Sequence, residues 1–213
     1  MRPGQYADKK RDLRKQKGKS ITTFPSKRKI PFLTESPLEA DFCYHLDYDL
    51  DVISYEPQPL GFYYLFEGKV CLYTPDFLVH DKTGFHYYEV KYKKYTQSKY
   101  FSSGRFDACV EQARALGKSL SIITEDYIYQ KPKYNNLNVL HQYFGMQDIP
   151  SEFINKLKTE LLSGNKKIES LLDIEDRGCQ LGYIYQLIAE GFIKTDIQNK
   201  ELSIDAVVSM GGV

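Results

Sequence analysis

The chain has 213 residues, of which 42% are hydrophobic, and a mean hydropathy of −0.48. This length supports one large domain or two small ones, and no apolar run approaches the roughly 20 residues that cross a bilayer. The basic N-terminus has no apolar segment behind it, so we expect no secretory signal.

The net charge of +1 conceals a basic N-terminal segment. Residues 1–30 contain eleven Lys and Arg and two Asp, a net of +9, so the other 183 residues carry −8. Because this segment also has few apolar groups, we predict a basic flexible arm that becomes ordered on binding a polyanion such as DNA. The alternative is a disordered tail that only increases solubility.

The pattern after the arm begins with a helix and continues as strands. Ser36 is a favourable N-cap, Pro37 suits the first helical position, and Leu38, Phe42 and Leu46 recur at helical spacing. Strands are predicted at 52–55, 60–66, 69–74 and 85–92, with hairpin turns at 67–69 and 81–84.

A helix over 105–116 and a strand over 120–124 follow, which implies a parallel crossover and an α/β sheet. Three amphipathic helices, within 150–164, 166–176 and 179–191, and a strand pair around 198–199 have the order of a winged-helix module. The predicted domains are therefore the arm, 1–30, an α/β domain, 31–147, and a C-terminal domain, 148–213.

A proline and a carboxylate interrupt the stretch "YTPDFLV", residues 73–79. Pro75 cannot donate to a β-ladder, so pairing breaks where Asp76 appears. Glu89 and Lys91, in "YYEVKYKKY", share one face of a strand because side chains alternate. If the two stretches are neighbours, Asp76, Glu89 and Lys91 converge: two oxygen ligands for Mg²⁺ and a cation for a phosphate. The alternative is a turn aspartate and a solvated strand face.

Two of the candidate residues leave questions open. Lys91 would need a pKa lowered by about 3 units to act as a general base, and carboxylates oppose that change, so we expect an electrostatic role. Glu39 stands three residues after Ser36, so it is either half of a capping box or a metal ligand, and one carboxylate is expected to fill only one role. Asp76 is expected to be partly exposed.

The stretch 91–105 contains five basic and no acidic residues among aromatic ones, which favours a DNA-contacting loop over a solvated loop. Together with the arm it supplies the candidate DNA-binding residues: Lys9, Lys10, Arg11, Arg14, Lys15, Lys93, Lys94, Lys99 and Arg105.

Five segments spread over about residues 30–130 carry a family resemblance: "ESPLEADF", "YEPQPLGF", "YTPDFLV", "YYEVKYKK" and "LSIITEDYI". Together they resemble the TnsA endonuclease subunit of heteromeric DNA transposases. The resemblance implies a PD-(D/E)xK nuclease domain with a restriction-endonuclease-like mixed sheet flanked by helices, and a smaller α-helical, winged-helix-like C-terminal domain. It also implies that Glu39, Asp76 and Glu89 bind Mg²⁺, with Mn²⁺ as a substitute, and that Lys91 is the catalytic lysine.

The same resemblance implies a function and partners. The expected reaction is cleavage of the non-transferred strand at transposon ends during cut-and-paste transposition, with a DDE transposase and an AAA+ regulator, in the bacterial cytoplasm at the nucleoid. A stand-alone restriction or repair nuclease and a non-catalytic DNA-binding adaptor remain alternatives. Residues 148–213 contain seven basic and eleven acidic residues, a net of −4, which favours docking to a protein over binding DNA.

Overall fold

A computed structural model describes residues 1–11, 20–27, 30–146 and 148–211. The chain divides into two compact units, Met1–Ile128 and Tyr129–Val213. Within the described residues, no helix combines the length and the apolar character that a membrane crossing requires.

The first unit contains the central sheet and the helices around the candidate site. In chain order its strands and helices are β1 (Thr22–Phe24), β2 (Phe32–Thr34), α1 (Pro37–Tyr48), β3 (Val52–Pro57), β4 (Phe62–Phe66), β5 (Lys69–Tyr73), β6 (Phe77–Asp81), β7 (Gly84–Val90), α2 (Lys99–Ser102), α3 (Arg105–Ala115), β8 (Ser119–Ile123) and α4 (Glu125–Ile128).

A four-stranded sheet with the order β3-β6-β7-β8 forms the centre of this unit. Its first three strands are antiparallel and β8 is parallel to β7, which confirms the predicted crossover. Helix α1 covers one face, where Phe42 contacts the rings of Phe77 and Tyr88. On the other face Tyr87 belongs to a buried cluster with Cys109 of α3. The mixed sheet flanked by helices is therefore confirmed.

Strands β4 and β5 form a separate two-stranded sheet, and the tight turn that joins them lies at the predicted position. Glu67 and Gly68 have positive φ values of 48° and 73°, as a two-residue hairpin turn requires. After Tyr73 the chain leaves this sheet, and it enters the central sheet at Phe77. The residues between these strands therefore belong to neither strand, and Asp76 is one of them.

Several described residues of the N-terminal segment, which the sequence predicts to be a flexible arm, contact the rest of the first unit. Gly4 and Ala7 donate backbone hydrogen bonds of 2.8 Å to carbonyls of Tyr63 and Gly61. Strand β1 pairs with β2, and Phe24 is buried. The described parts of the segment thus contribute backbone donors and an aromatic ring to the unit. Residues 12–19 and 28–29, which include the candidates Arg14 and Lys15, lie outside the described residues.

The described residues of the second unit form three longer helices and a small sheet. Its elements are α5 (Lys133–Tyr143), α6 (Ser151–Leu162), β9 (Lys166–Lys167), α7 (Arg177–Ala189), β10 (Ile193–Lys194) and β11 (Val207–Met210). The strands have the order β10-β11-β9, and both pairs are antiparallel. The helices predicted within 150–164 and 179–191 are confirmed.

The helix predicted within 166–176 is wrong. This stretch forms β9 and a short 3-10 turn, Ile168–Leu171. The Ile168 and Glu169 N–H groups donate to the Ala206 and Ile204 carbonyls at 2.9 and 2.8 Å. These long-range backbone bonds replace the helical ones, so tertiary pairing outweighs the local amphipathic pattern.

The units divide before α5, whereas the sequence pattern placed a boundary near residue 147. Helix α5 packs on α7, where the rings of Tyr143 and Tyr185 are in contact. The buried Asn136 side chain donates to the carbonyls of Ile197 and Lys200 at 2.8 and 2.7 Å and accepts from the Leu202 N–H at 2.8 Å. These bonds tie α5 to the C-terminal segment of the second unit.

Candidate active site

The candidate residues gather at one end of the central sheet. At this end β3 and β7 end and β6 begins, because β6 runs antiparallel to both of its neighbours. Helix α1 begins at the same end. This arrangement brings together side chains that are far apart in the sequence.

Asp76 occupies the centre of this site. The residue is only 3% exposed, so the expectation of a partly exposed aspartate is wrong. One carboxylate oxygen accepts from the Val90 N–H at 2.8 Å. The Asp76 backbone donates to Tyr88 at 3.0 Å and accepts from Gln58 at 2.8 Å. Asp76 is thus fixed by both neighbouring strand ends although it lies outside the regular ladder.

Glu39 forms contacts of a helix cap and also faces the acidic site, and its role as a metal ligand stays a prediction. Ser36 caps α1 by accepting from the Glu39 N–H at 3.2 Å, and the Ser36 hydroxyl donates to Glu39 Oε1 at 3.0 Å. The Glu35 N–H donates to Glu39 Oε2 at 3.0 Å. The same carboxylate lies beside Asp76. A carboxylate has about four lone-pair sites, so capping leaves acceptor capacity towards the site.

Glu35 is a further acidic residue that sequence reasoning missed. Glu35, Glu39 and Asp76 each place one carboxylate oxygen within 4.8 Å of the others. The Arg11 guanidinium forms an ion pair of 2.9 Å with Glu35. Glu35 precedes the N-cap Ser36, so helical spacing does not predict that it lies beside Glu39.

Glu89 and Lys91 lie on the same side at the end of β7, as the alternation predicted. The Lys91 ammonium is 3.0 Å from Glu89 Oε1 and 3.7 Å from Asp76 Oδ2. The Tyr73 hydroxyl donates to Glu89 Oε2 at 2.7 Å. Lys91 therefore joins the two carboxylates that the sequence placed in one site.

Burial and mutual repulsion set the protonation of the site. Burial raises the pKa of Asp76 well above its ordinary value, and the Glu89 and Glu39 charges raise it further. Burial also raises the pKa of Glu39. Burial lowers the pKa of Lys91, but the charges of Asp76, Glu89 and Glu39 outweigh it, so its pKa lies above the ordinary value. Lys91 is a cation at neutral pH, as its expected electrostatic role requires.

The donor set fits a hard divalent cation. Three carboxylate oxygens that lie within 4.8 Å of one another can approach a single ion, and Mg²⁺ prefers oxygen ligands. A cation would also offset the repulsion that raises the pKa of Asp76.

The candidate DNA-binding residues fall into two groups. Lys9 and Lys99 are exposed, and the exposed Lys94 lies over the rings of Tyr92 and Tyr95. The other described candidates contact protein groups: Lys10 pairs with Glu56, Lys93 with Asp126 and Arg11 with Glu35, and Arg105 donates to the Tyr64 hydroxyl.

The fold and the site together define a nuclease domain of the restriction-endonuclease-like type: a mixed sheet between helices, with carboxylates and a lysine at the strand ends. Residues 49–125 match the family described as TnsA-like endonuclease N terminal. The match lies within the first unit and supports a TnsA-like endonuclease domain there. The match includes Asp76, Glu89 and Lys91 but not Glu39. No curated protein matches the sequence.

Neutralising Asp76 should stabilise the metal-free protein. Because its pKa is raised on folding, protonation favours the fold, and that stabilisation is complete below the unfolded pKa of about 4 and lost as the pH rises through the higher folded pKa. Asp76→Asn, which resembles the protonated form, should therefore raise the melting temperature in EDTA at pH 7 to 8 by several degrees.

The difference in melting temperature between Asp76→Asn and the parent protein should shrink as the pH is lowered towards 4, because Asp76 of the parent protein then becomes neutral. Melting curves in EDTA across this range test the prediction. A lower melting temperature for Asp76→Asn at pH 8 would contradict it. Asp8→Asn, at an exposed aspartate, is the control and should change little.

Proposed function

We propose that this protein is a Mg²⁺-dependent DNA endonuclease that cleaves the non-transferred strand at transposon ends during cut-and-paste transposition. The observation that carries the proposal is the meeting of Asp76, Glu89 and Lys91 with Glu39 at one sheet end of a TnsA-like domain.

In this proposal the ligands of the ion are Glu39, Asp76 and Glu89, and Glu35 lies close enough to contribute. Mg²⁺, or Mn²⁺ as a substitute, supplies when bound the charge that activates water and stabilises a phosphorane-like transition state. The carboxylates are held in place by groups already described: the Val90 N–H on Asp76 and the Tyr73 hydroxyl on Glu89.

Lys91 acts through its positive charge. It stays protonated during the reaction and transfers no proton. Its side chain is 37% exposed, so the ammonium can reach a phosphate while it contacts Glu89 at 3.0 Å. A fixed cation beside the reacting phosphate stabilises negative charge in the transition state.

Lys91→Met should lower the rate of strand cleavage by about 100-fold or more and leave metal binding largely intact, because the ammonium is removed and the carboxylates stay. Cleavage assays and calorimetric titration with Mn²⁺ measure the two effects. Lys118→Met, at a lysine that contacts Tyr6 on the same unit, is the matched control. An equal loss of metal binding and cleavage would assign Lys91 a structural role instead.

We expect the exposed lysines to bind the DNA backbone. Lys94→Gln should reduce the slope of log affinity against log salt concentration by about 0.9, the value for one phosphate contact. Fluorescence anisotropy with duplex DNA at several salt concentrations measures the slope. Lys156→Gln, at a lysine paired with Asp173 in the second unit, should leave it unchanged. An unchanged slope for Lys94→Gln would remove this loop from the DNA interface.

The acidic C-terminal unit is better suited to a protein partner than to DNA. The unit, 129–213, contains nine basic and eleven acidic residues, a net of −2, and the part predicted as the C-terminal domain, 148–213, carries −4, which repels phosphates. We assign it the role of docking the nuclease to the DDE transposase or the AAA+ regulator. A chain ending at residue 128 should still bind Mn²⁺ but no longer co-purify with these partners, whereas retained co-purification would contradict the assignment.

The test of the whole proposal is nicking of a duplex that contains a transposon end, with and without the candidate transposase. Cleavage at the end that needs the transposase, and is lost in Asp76→Asn, supports the proposal. Cleavage of naked DNA without a partner would favour a stand-alone restriction or repair nuclease. Binding without any metal-dependent cleavage would favour a non-catalytic adaptor.

A further inference from the structure

Gln58 is an unusual residue in an unusual backbone conformation. It directly follows β3, its side chain is only 5% exposed, and its φ is +48°. This left-handed region is unfavourable for residues other than glycine and asparagine, and the following Pro59 restricts the residue before it further. A strained backbone that buries a polar side chain indicates that the side chain has a task at this position.

The amide of Gln58 lies between the acidic site and a cation. Its Nε2 donates to Glu39 Oε2 at 3.3 Å and to Asp76 Oδ1 at 3.5 Å, and its Oε1 accepts from the Arg11 guanidinium. Arginine can only donate and ionised carboxylates can only accept, so a single orientation of the amide satisfies all three neighbours. Arg11 thus determines which end of the amide faces the carboxylates.

The chemistry of this position favours an amide over other side chains of similar size. A glutamate would add another negative charge beside Glu39 and Asp76, and a lysine would place a cation where a metal ion is needed. A methionine would fill the space without donating a hydrogen bond. Glutamine separates the two carboxylates with a neutral donor and leaves their remaining lone pairs free for an ion.

We propose that Gln58 is a positioning residue of this site: its amide sets the relative orientation of the Glu39 and Asp76 carboxylates before a divalent ion binds, and Arg11 holds the amide in its working orientation. The inference rests on the proposed function, because it takes both carboxylates as metal ligands. Groups that orient metal ligands commonly change the metal affinity by about 10- to 100-fold when they are removed.

The experiment compares Mn²⁺ binding by the full chain and three variants, measured by calorimetry without DNA, with melting curves in EDTA as a test of folding. Gln58→Met removes the donor and keeps the length. Gln58→Gly also removes the donor but suits the positive φ, so it stays folded if the methionine variant does not. Gln142→Met, at an exposed glutamine on α5, is the matched control.

Both substitutions at Gln58 should weaken Mn²⁺ binding by about tenfold or more, with Gln142→Met unchanged. Wild-type affinity in the folded Gln58→Gly variant would overturn the inference, because Gln58 would then serve only the turn. Absence of Mn²⁺ binding by the wild-type chain would instead overturn the proposed metal site and this inference together, so the two failures are distinguishable.

Discussion

The main constraint on the first unit is the repulsion among carboxylates that are buried together. Four such groups share one end of the central sheet: those of Glu35, Glu39, Asp76 and Glu89. Burial raises the pKa of Asp76 well above its ordinary value, and the neighbouring Glu89 and Glu39 charges raise it further. The fold offsets this repulsion with the Lys91 ammonium, the Arg11 guanidinium and backbone N–H donors. An unfavourable arrangement of this kind is expected where a site is built to hold a cation.

The path of the chain between two sheets explains how Asp76 reaches that cluster. Strand β5 belongs to the small sheet and β6 to the central sheet, so the residues between them must change direction. Pro75 suits this point because it has no N–H to leave unpaired. Asp76 then pairs its backbone with Tyr88 and Gln58 and points its carboxylate into the site. Pro75 and Asp76 thus lie together at the point where the chain must change direction between the two sheets.

Local patterns predicted the parts of the fold that local physics controls. The Ser36 cap, the glycine-containing hairpin turns and the helix after residue 104 all appear where short-range rules place them. The helix expected within 166–176 failed because its backbone groups pair with residues more than thirty positions away. Likewise, the alternation along β7 correctly placed Glu89 and Lys91 on one face, whereas the depth of Asp76 depended on neighbours from other strands.

The sequence by itself determined the types of the chemical groups and their local geometry: the capped helix with Glu39, the broken strand with Asp76 and the shared face of Glu89 and Lys91. Only the tertiary structure decided that Glu35 and Gln58 join them and that Glu39 can cap α1 and face Asp76 at once. The physical reason is distance along the chain. Neither an amide turned by a positive φ nor an arginine from the N-terminal segment leaves a periodic signal, so only packing reveals what each one contacts.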